Sequence, residues 1–174
     1  MALNVGYLTS DKQNDELYTP RYAVEPIMKY IPKDKRIWCP FDTTESEFVK
    51  TAMRMGYNVV HSHVFEGKDF FEYEPENYDV IVSNPPFSCK DKVLKRLYEL
   101  EKPFALLLPL NSLQGNTRYK YFKQGIQILC FDKRIGFYTP THMDSPVEGT
   151  PFASAYFCRD ILPNDLIIEE LVKE

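Results

Sequence analysis

Apolar positions along this chain keep two rhythms. Stretches of strand length rich in apolar residues occupy 36–41, 57–63, 78–83, 104–110, 126–131 and 152–158, that at 104–110 being continuously apolar. Helical spacing appears elsewhere: Ala23, Val24, Ile27, Met28 and Ile31 share one face, as do Phe48, Val49, Ala52 and Met53, and later Val93, Leu94, Leu97 and Leu100. Local chemistry sets the boundaries. Thr19 is placed to cap a helix with Pro20 at its first position, and Pro26 predicts two short helices or one kinked one. Thr44 and Glu47 have capping-box spacing, Gly56 supplies a stop, and Pro103 ends the third helix. Strands alternating first with helices and then with long loops predict an α/β fold, a mostly parallel open sheet in a three-layer sandwich.

Composition narrows the picture. The 174 residues, 44% hydrophobic and 14% aromatic, suit one domain over residues 1–174 whose core needs neither disulfide nor metal. Cys39, Cys89, Cys130 and Cys158 form no CxxC pair and have no histidine at metal spacing, so reduced thiols and no metal are expected. The apolar run at 104–110 is far shorter than the about 20 residues of a membrane span. The polar stretch up to Glu16 has neither a basic head nor an apolar middle, so no membrane association and a cytoplasmic location are expected. Net charge is −4, yet residues 90–134 hold ten Lys or Arg against four Asp or Glu, a stretch suited to an anion. A solvated basic helix face accounts for that stretch equally well.

The strongest chemical signal is Asn84-Pro85-Pro86-Phe87, at the end of the buried run 78–83, where open α/β sheets place their ligands. Two consecutive prolines have fixed φ and no N–H, so they hold the Asn84 side chain and the proline carbonyls as a rigid set of acceptors. Such a set fits a primary amine donor. Phe87 adds a flat face on which a planar base or amide can stack. A bare strand terminator is the competing reading of the tetrapeptide, since Asn and Pro end strands anyway.

Ser83-Asn84-Pro85-Pro86-Phe87 resembles the S-adenosylmethionine-dependent N6-adenine methyltransferases, whose hallmark is Asp/Asn/Ser-Pro-Pro-Tyr/Phe/Trp. The wider set LYTPRYAVEPI, IWCPFD, GKDFF, SNPPFS, LLPLNSLQG and SPVEGTPFASAYF is similar to a small family of phage and prophage methyltransferases, over nearly the whole chain. The resemblance implies a Rossmann-like class I methyltransferase fold, S-adenosylmethionine as cofactor, and DNA (adenine-N6) methylation in a bacterial or phage-infected cell. It assigns catalysis to Asn84, Pro85, Pro86 and Phe87. At the cofactor, Thr19 and Pro20 match an element at its methionine end, with Tyr18 beside them. Pro40 and Asp42 follow the first strand, where the family has Asp-Pro-x-x-Gly-x-Gly and this chain has none of those glycines. Ser62, or His61 or His63, stands where an acid holds the ribose; Asp69 matches the acid that accepts from the adenine amino group, with Phe70 or Phe71 stacking; and Asn84 adjoins the cofactor too.

By the same resemblance a target-reading part follows the catalytic domain, but only about sixteen residues remain after Cys158, so no separate recognition domain is expected. Sequence preference is then low, or comes from loops, a protein partner or a homo-oligomer. The segments 112–125 and 136–151 are expected to face substrate, with Lys90, Arg118, Lys120, Lys123 and Arg134 available for the phosphates of nucleic acid, DNA foremost. Two other readings stay open: amino methylation of an RNA base or a protein glutamine, and a catalytically silent binding module that kept the sheet and lost the glycine loop.

Overall fold

The computed structural model describes residues 17–148 and 150–173, so the polar stretch up to Glu16 lies outside the described residues. Helix α1 (Arg21–Met28) precedes β1 (Arg36–Cys39), α2 (Glu47–Arg54) and β2 (Asn58–His61). Then come β3 (Val80–Ser83), α3 (Lys90–Leu100), β4 (Phe104–Pro109), α4 (Asn116–Phe122) and β5 (Gln127–Phe131). A hairpin of β6 (Phe137–Thr139) and β7 (His142–Val147) leads to β8 (Ser154–Arg159) and β9 (Leu166–Glu169).

Seven strands form one sheet in the order β2-β1-β3-β4-β8-β5-β9, in which only β8 runs against its neighbours. The direction of β8 has a topological cause. β5 ends at the same sheet edge as β3 and β4, the hairpin stays at that edge, and β8 re-enters from there, Ser154 opposite Pro109. The hairpin therefore overlooks the C-terminal ends of the parallel strands.

Both sheet faces are covered, as the unbroken apolar run in β4 requires. Ala23, Ile27, Phe48 and Ala52 of α1 and α2 pack with Leu107 and Tyr156 on one face. Val93, Leu94 and Leu97 of α3 pack with Trp38, Phe104 and Phe157 on the other. Burying each such large side chain contributes about 1.5–3 kcal/mol. The result is the expected α/β three-layer arrangement.

Local readings are corrected in several places. Of the two arrangements open for Pro26, two short helices are not formed: it lies inside a single helix, Arg21–Met28, buried with Ala23, Val24, Ile27 and Met28. Thr19 does not cap that helix; the cap position is Pro20, with no side-chain bond. Ser46, not Thr44, precedes α2, because Thr43 and Ser46 close a turn in which Thr43 N donates to Ser46 Oγ over 3.2 Å. Gly56 does end that unit, at φ +84°, a conformation glycine adopts without strain. The segment 112–125 is largely helix, held by Tyr121 and Phe122, whose rings lie against Tyr98 and Phe157. The stretch 136–151 contains the hairpin, and the final apolar residues supply β9 on the sheet edge. Among the described residues no helix is long and apolar enough to cross a membrane.

Candidate active site

In the sheet order, β1 sends the chain to β2 on one side while β3 lies on the other, so the loops beyond β1 and β3 part and leave a crevice. A cavity of about 700 Å³ occupies that crevice. Its walls are the strap Leu17–Thr19, the loop and helix start after β1, the turn at His63–Phe65, the corner Asn84–Phe87, and Tyr138 and Met143 of the hairpin.

Asn84 is the most informative side chain in it. Its Nδ2 donates to Leu17 O and to Thr19 Oγ1, each over 3.1 Å. Its Oδ1 is buried and has no hydrogen-bond partner among the described residues. The amide orientation follows from chemistry, because the Leu17 carbonyl can only accept and so must face the NH2 end. An unpaired buried amide oxygen costs about 1–3 kcal/mol, which marks it as an acceptor for something absent from the chain. Of the two proline carbonyls, that of Pro86 accepts from Cys89 N and Cys89 Sγ, each at 3.2 Å, at the start of the 3-10 turn Phe87–Cys89. Phe87 meets Phe152 edge to face at 5.6 Å and 84°.

Asp42 sits across the crevice, 5% exposed, and its Oδ2 accepts a hydrogen bond from Ser83, the residue before Asn84. Burial pushes its carboxyl up to about 6, while hydrogen bonds from Ser83 and Ser46 pull the other way. Burial likewise raises the Cys39 thiol, which lies under the same loop.

The fold gathers most, but not all, of the residues marked in the sequence. Tyr18, Thr19, Pro40, Asp42, Phe70 and Asn84 to Phe87 line the cavity. Phe70 is a floor residue, 2% exposed and packed on Phe41 and Trp38. Pro20 is buried behind the strap and does not line the cavity. Ser62 is fully buried with its Oγ accepting from Trp38 Nε1 at 2.9 Å, so it serves the core. Asp69 stays outside the lining and accepts from Phe71 N at 3.0 Å in its own turn.

The cations disperse. Arg118 donates to Ser112 O and to Asp91 Oδ1, each at 2.7 Å, and to Gln114 O, with its side chain 13% exposed, so it clamps its own loop to α3 instead of meeting phosphates. Lys120 and Lys123 ride on α4 as it runs away from the site edge; nearby Gly125 accepts from Tyr98, close to the far end of α3. Lys90 lies next to the corner and donates to Phe87 O at 3.3 Å. Arg134 follows β5 at the site edge, exposed, with one bond to Thr150 O at 2.7 Å.

Sequence reasoning missed Phe65, whereas Tyr138 and Met143 lie in the segment 136–151 that was expected to face substrate. Phe65 is 73% exposed at the cavity mouth, its ring 4.6 Å from that of His63, on a turn ended by Gly67 at φ +73°. An isolated Phe in a polar, glycine-closed turn was a usable signal. For the hairpin the sequence pointed to the segment, and the tertiary fold selected Tyr138 and Met143 within it.

No protein-family model matches this chain, and no curated protein matches it. Solved structures do. A dimethyladenosine transferase from Plasmodium falciparum superposes with a TM-score of 0.50 at 13% identity, over 82% of this chain and 62% of that one. A type I restriction-modification system methyltransferase subunit from Streptococcus thermophilus gives 0.47 at 12%, over 95% of this chain and 50% of that one. The chain thus spans less than two thirds of either neighbour. The sheet order and the likeness to the first of these give this chain the Rossmann-like class I methyltransferase fold.

Two outcomes follow from the geometry. Arg118→Ala should lower stability by about 2 kcal/mol in urea unfolding, through loss of a half-buried clamp, and leave oligonucleotide affinity nearly unchanged. The stabilisation that protonated Asp42 brings is complete below about pH 4 and disappears as pH rises through about 6. Stability measured relative to Asp42→Asn should therefore fall by up to about 3 kcal/mol between pH 4 and pH 7.

Proposed function

We propose that this chain is an S-adenosylmethionine-dependent methyltransferase acting on the exocyclic amino group of adenine in nucleic acid, DNA foremost. The single observation that carries the reading is the unpartnered Asn84 Oδ1 at the cavity wall, beside a diproline corner.

The residues present suit the cofactor despite the missing glycines. The crevice stays open because the Thr43–Ser46 turn carries the chain aside, and about 700 Å³ lies within the range of small-molecule sites. Asp42 is placed for the ammonium group, Pro40 and Phe70 supply apolar wall, and Tyr18 and Phe65 stand at the mouth. When bound, the cofactor supplies an electrophilic sulfonium methyl group.

The chain's own part is positioning. Asn84 Oδ1 and the Pro85 carbonyl accept the two amine hydrogens, drawing the nitrogen out of conjugation and setting its lone pair in line for transfer. Their dipoles also favour the positive charge that develops on nitrogen, in a pocket where they need not reorganise. The surplus proton passes to water after transfer. Phe87, braced by Phe152, offers the face on which a base lifted from its stack can rest, offsetting part of a cost of a few kcal/mol.

A second reading has one observation in its favour. Arg118, Lys120 and Lys123 do not converge on the corner, which fits a protein glutamine amide better than a phosphate backbone. Labelled methyl transfer to adenine-containing oligonucleotides, set against protein extract, separates the two.

Asn84→Ala should reduce transfer at least about 100-fold while leaving cofactor affinity by calorimetry within a few-fold; an active variant refutes the assignment. Cofactor affinity should weaken as pH drops below about 6, where Asp42 takes up a proton and loses its attraction for the ammonium. Absence of any binding at millimolar cofactor would favour the silent module.

A further inference from the structure

We infer that Thr19 is a positioning residue for Asn84, locking the carboxamide so that its oxygen, and not its NH2, faces the incoming amine. The inference rests on the reading of Asn84 as amine acceptor and gives Thr19 a different task from a cofactor contact.

An asparagine side chain has two ends of nearly equal shape and opposite chemistry. With its NH2 turned to the cavity, it would repel the amine it has to hold. What selects the productive orientation is the strap before α1. Leu17 O and Thr19 Oγ1 both lie 3.1 Å from Asn84 Nδ2, one acceptor for each amide hydrogen. Rotating the amide by half a turn would set Oδ1 against the Leu17 carbonyl oxygen, a pairing with no proton between them. Thr19 is 7% exposed, so water does not readily replace its hydroxyl.

The strap is itself held from elsewhere. Tyr18 and Tyr138 exchange both backbone hydrogen bonds, 2.9 Å each way, which ties the strap to β6. The Tyr22 hydroxyl donates to Gly136 O at 3.2 Å and accepts from Gly136 N at 3.0 Å, fixing the start of α1 to the same hairpin. The hairpin therefore anchors the strap, and the strap sets the orientation of Asn84. This accounts for Thr19 being spared from capping α1, since its oxygen is committed to the asparagine.

The test pairs a structural readout with a kinetic one on the full chain. Hydrogen exchange of the Asn84 side-chain amide is followed by 15N NMR in the wild type, Thr19→Val and Thr19→Ser, alongside cofactor calorimetry and methyl transfer to an adenine-containing oligonucleotide. The expected result is slow exchange in the wild type, exchange faster by about tenfold in Thr19→Val, and recovery in Thr19→Ser. With it, kcat should drop about tenfold in Thr19→Val, with KM for the oligonucleotide and cofactor Kd within about twofold. Fast exchange in the wild type overturns the lock outright, which needs no variant to fold. Unchanged exchange and kcat in Thr19→Val overturn it as well, and so does lost cofactor affinity with intact kcat, which would return Thr19 to the cofactor. A wild type that transfers no methyl group yet shows slow amide exchange, relieved by Thr19→Val, supports the lock and refutes the proposed reaction instead.

Discussion

Where β1 and β3 end side by side, the chain has to leave polar groups in a place that water barely reaches. Asp42 and Asn84 occupy that place, the first met by serine hydroxyls and the second only at one end of its amide. The Asp42 carboxyl leans on the Ser83 hydroxyl and is held near 6 by burial. The Asn84 amide has its NH2 end bound and its oxygen left over. An unmet amide oxygen and a buried carboxyl are both costly inside a folded chain, and this fold keeps the two on one cavity wall. The remaining features of the site follow from that constraint.

Three parts of the chain meet there, distant in sequence. The strap at Leu17–Thr19 arrives through its ladder contact with Tyr138, the corner at Asn84 arrives at the end of β3, and Phe152 comes in just before β8 to brace Phe87. The antiparallel entry of β8 makes this possible. Because the connection from β5 to β8 never crosses the sheet, its hairpin stays above the crevice and supplies both a wall and an anchor. A helical crossover at that point would have carried those residues to the opposite edge.

Electrostatics around the site differ from what the charge run at 90–134 suggests. A cluster in sequence becomes a surface patch only where side chains stay free and point one way. Arg118 is drawn inward by two carbonyls and Asp91, and α4 turns Lys120 and Lys123 from the corner, whereas Lys90 and Arg134 remain at the site edge. Any nucleic-acid contact therefore depends on fewer cations than the sequence offers.

The sequence by itself determined the alternation of strands and helices, the buried character of β3 and β4, and the stiff diproline corner that ends β3 at Asn84–Phe87. These follow from periodicity and from proline's fixed φ, which act within a few residues. Tertiary structure decided what depends on distant neighbours: that Thr19 bonds Asn84 and does not cap its own helix, that Ser62 bonds Trp38, that Arg118 clamps a loop, that a hairpin forms where a loop was expected, and that residues after Cys158 add a ninth strand. A hydroxyl or guanidinium bonds to whichever partner the packed chain brings within reach, and no local pattern records which partner that will be.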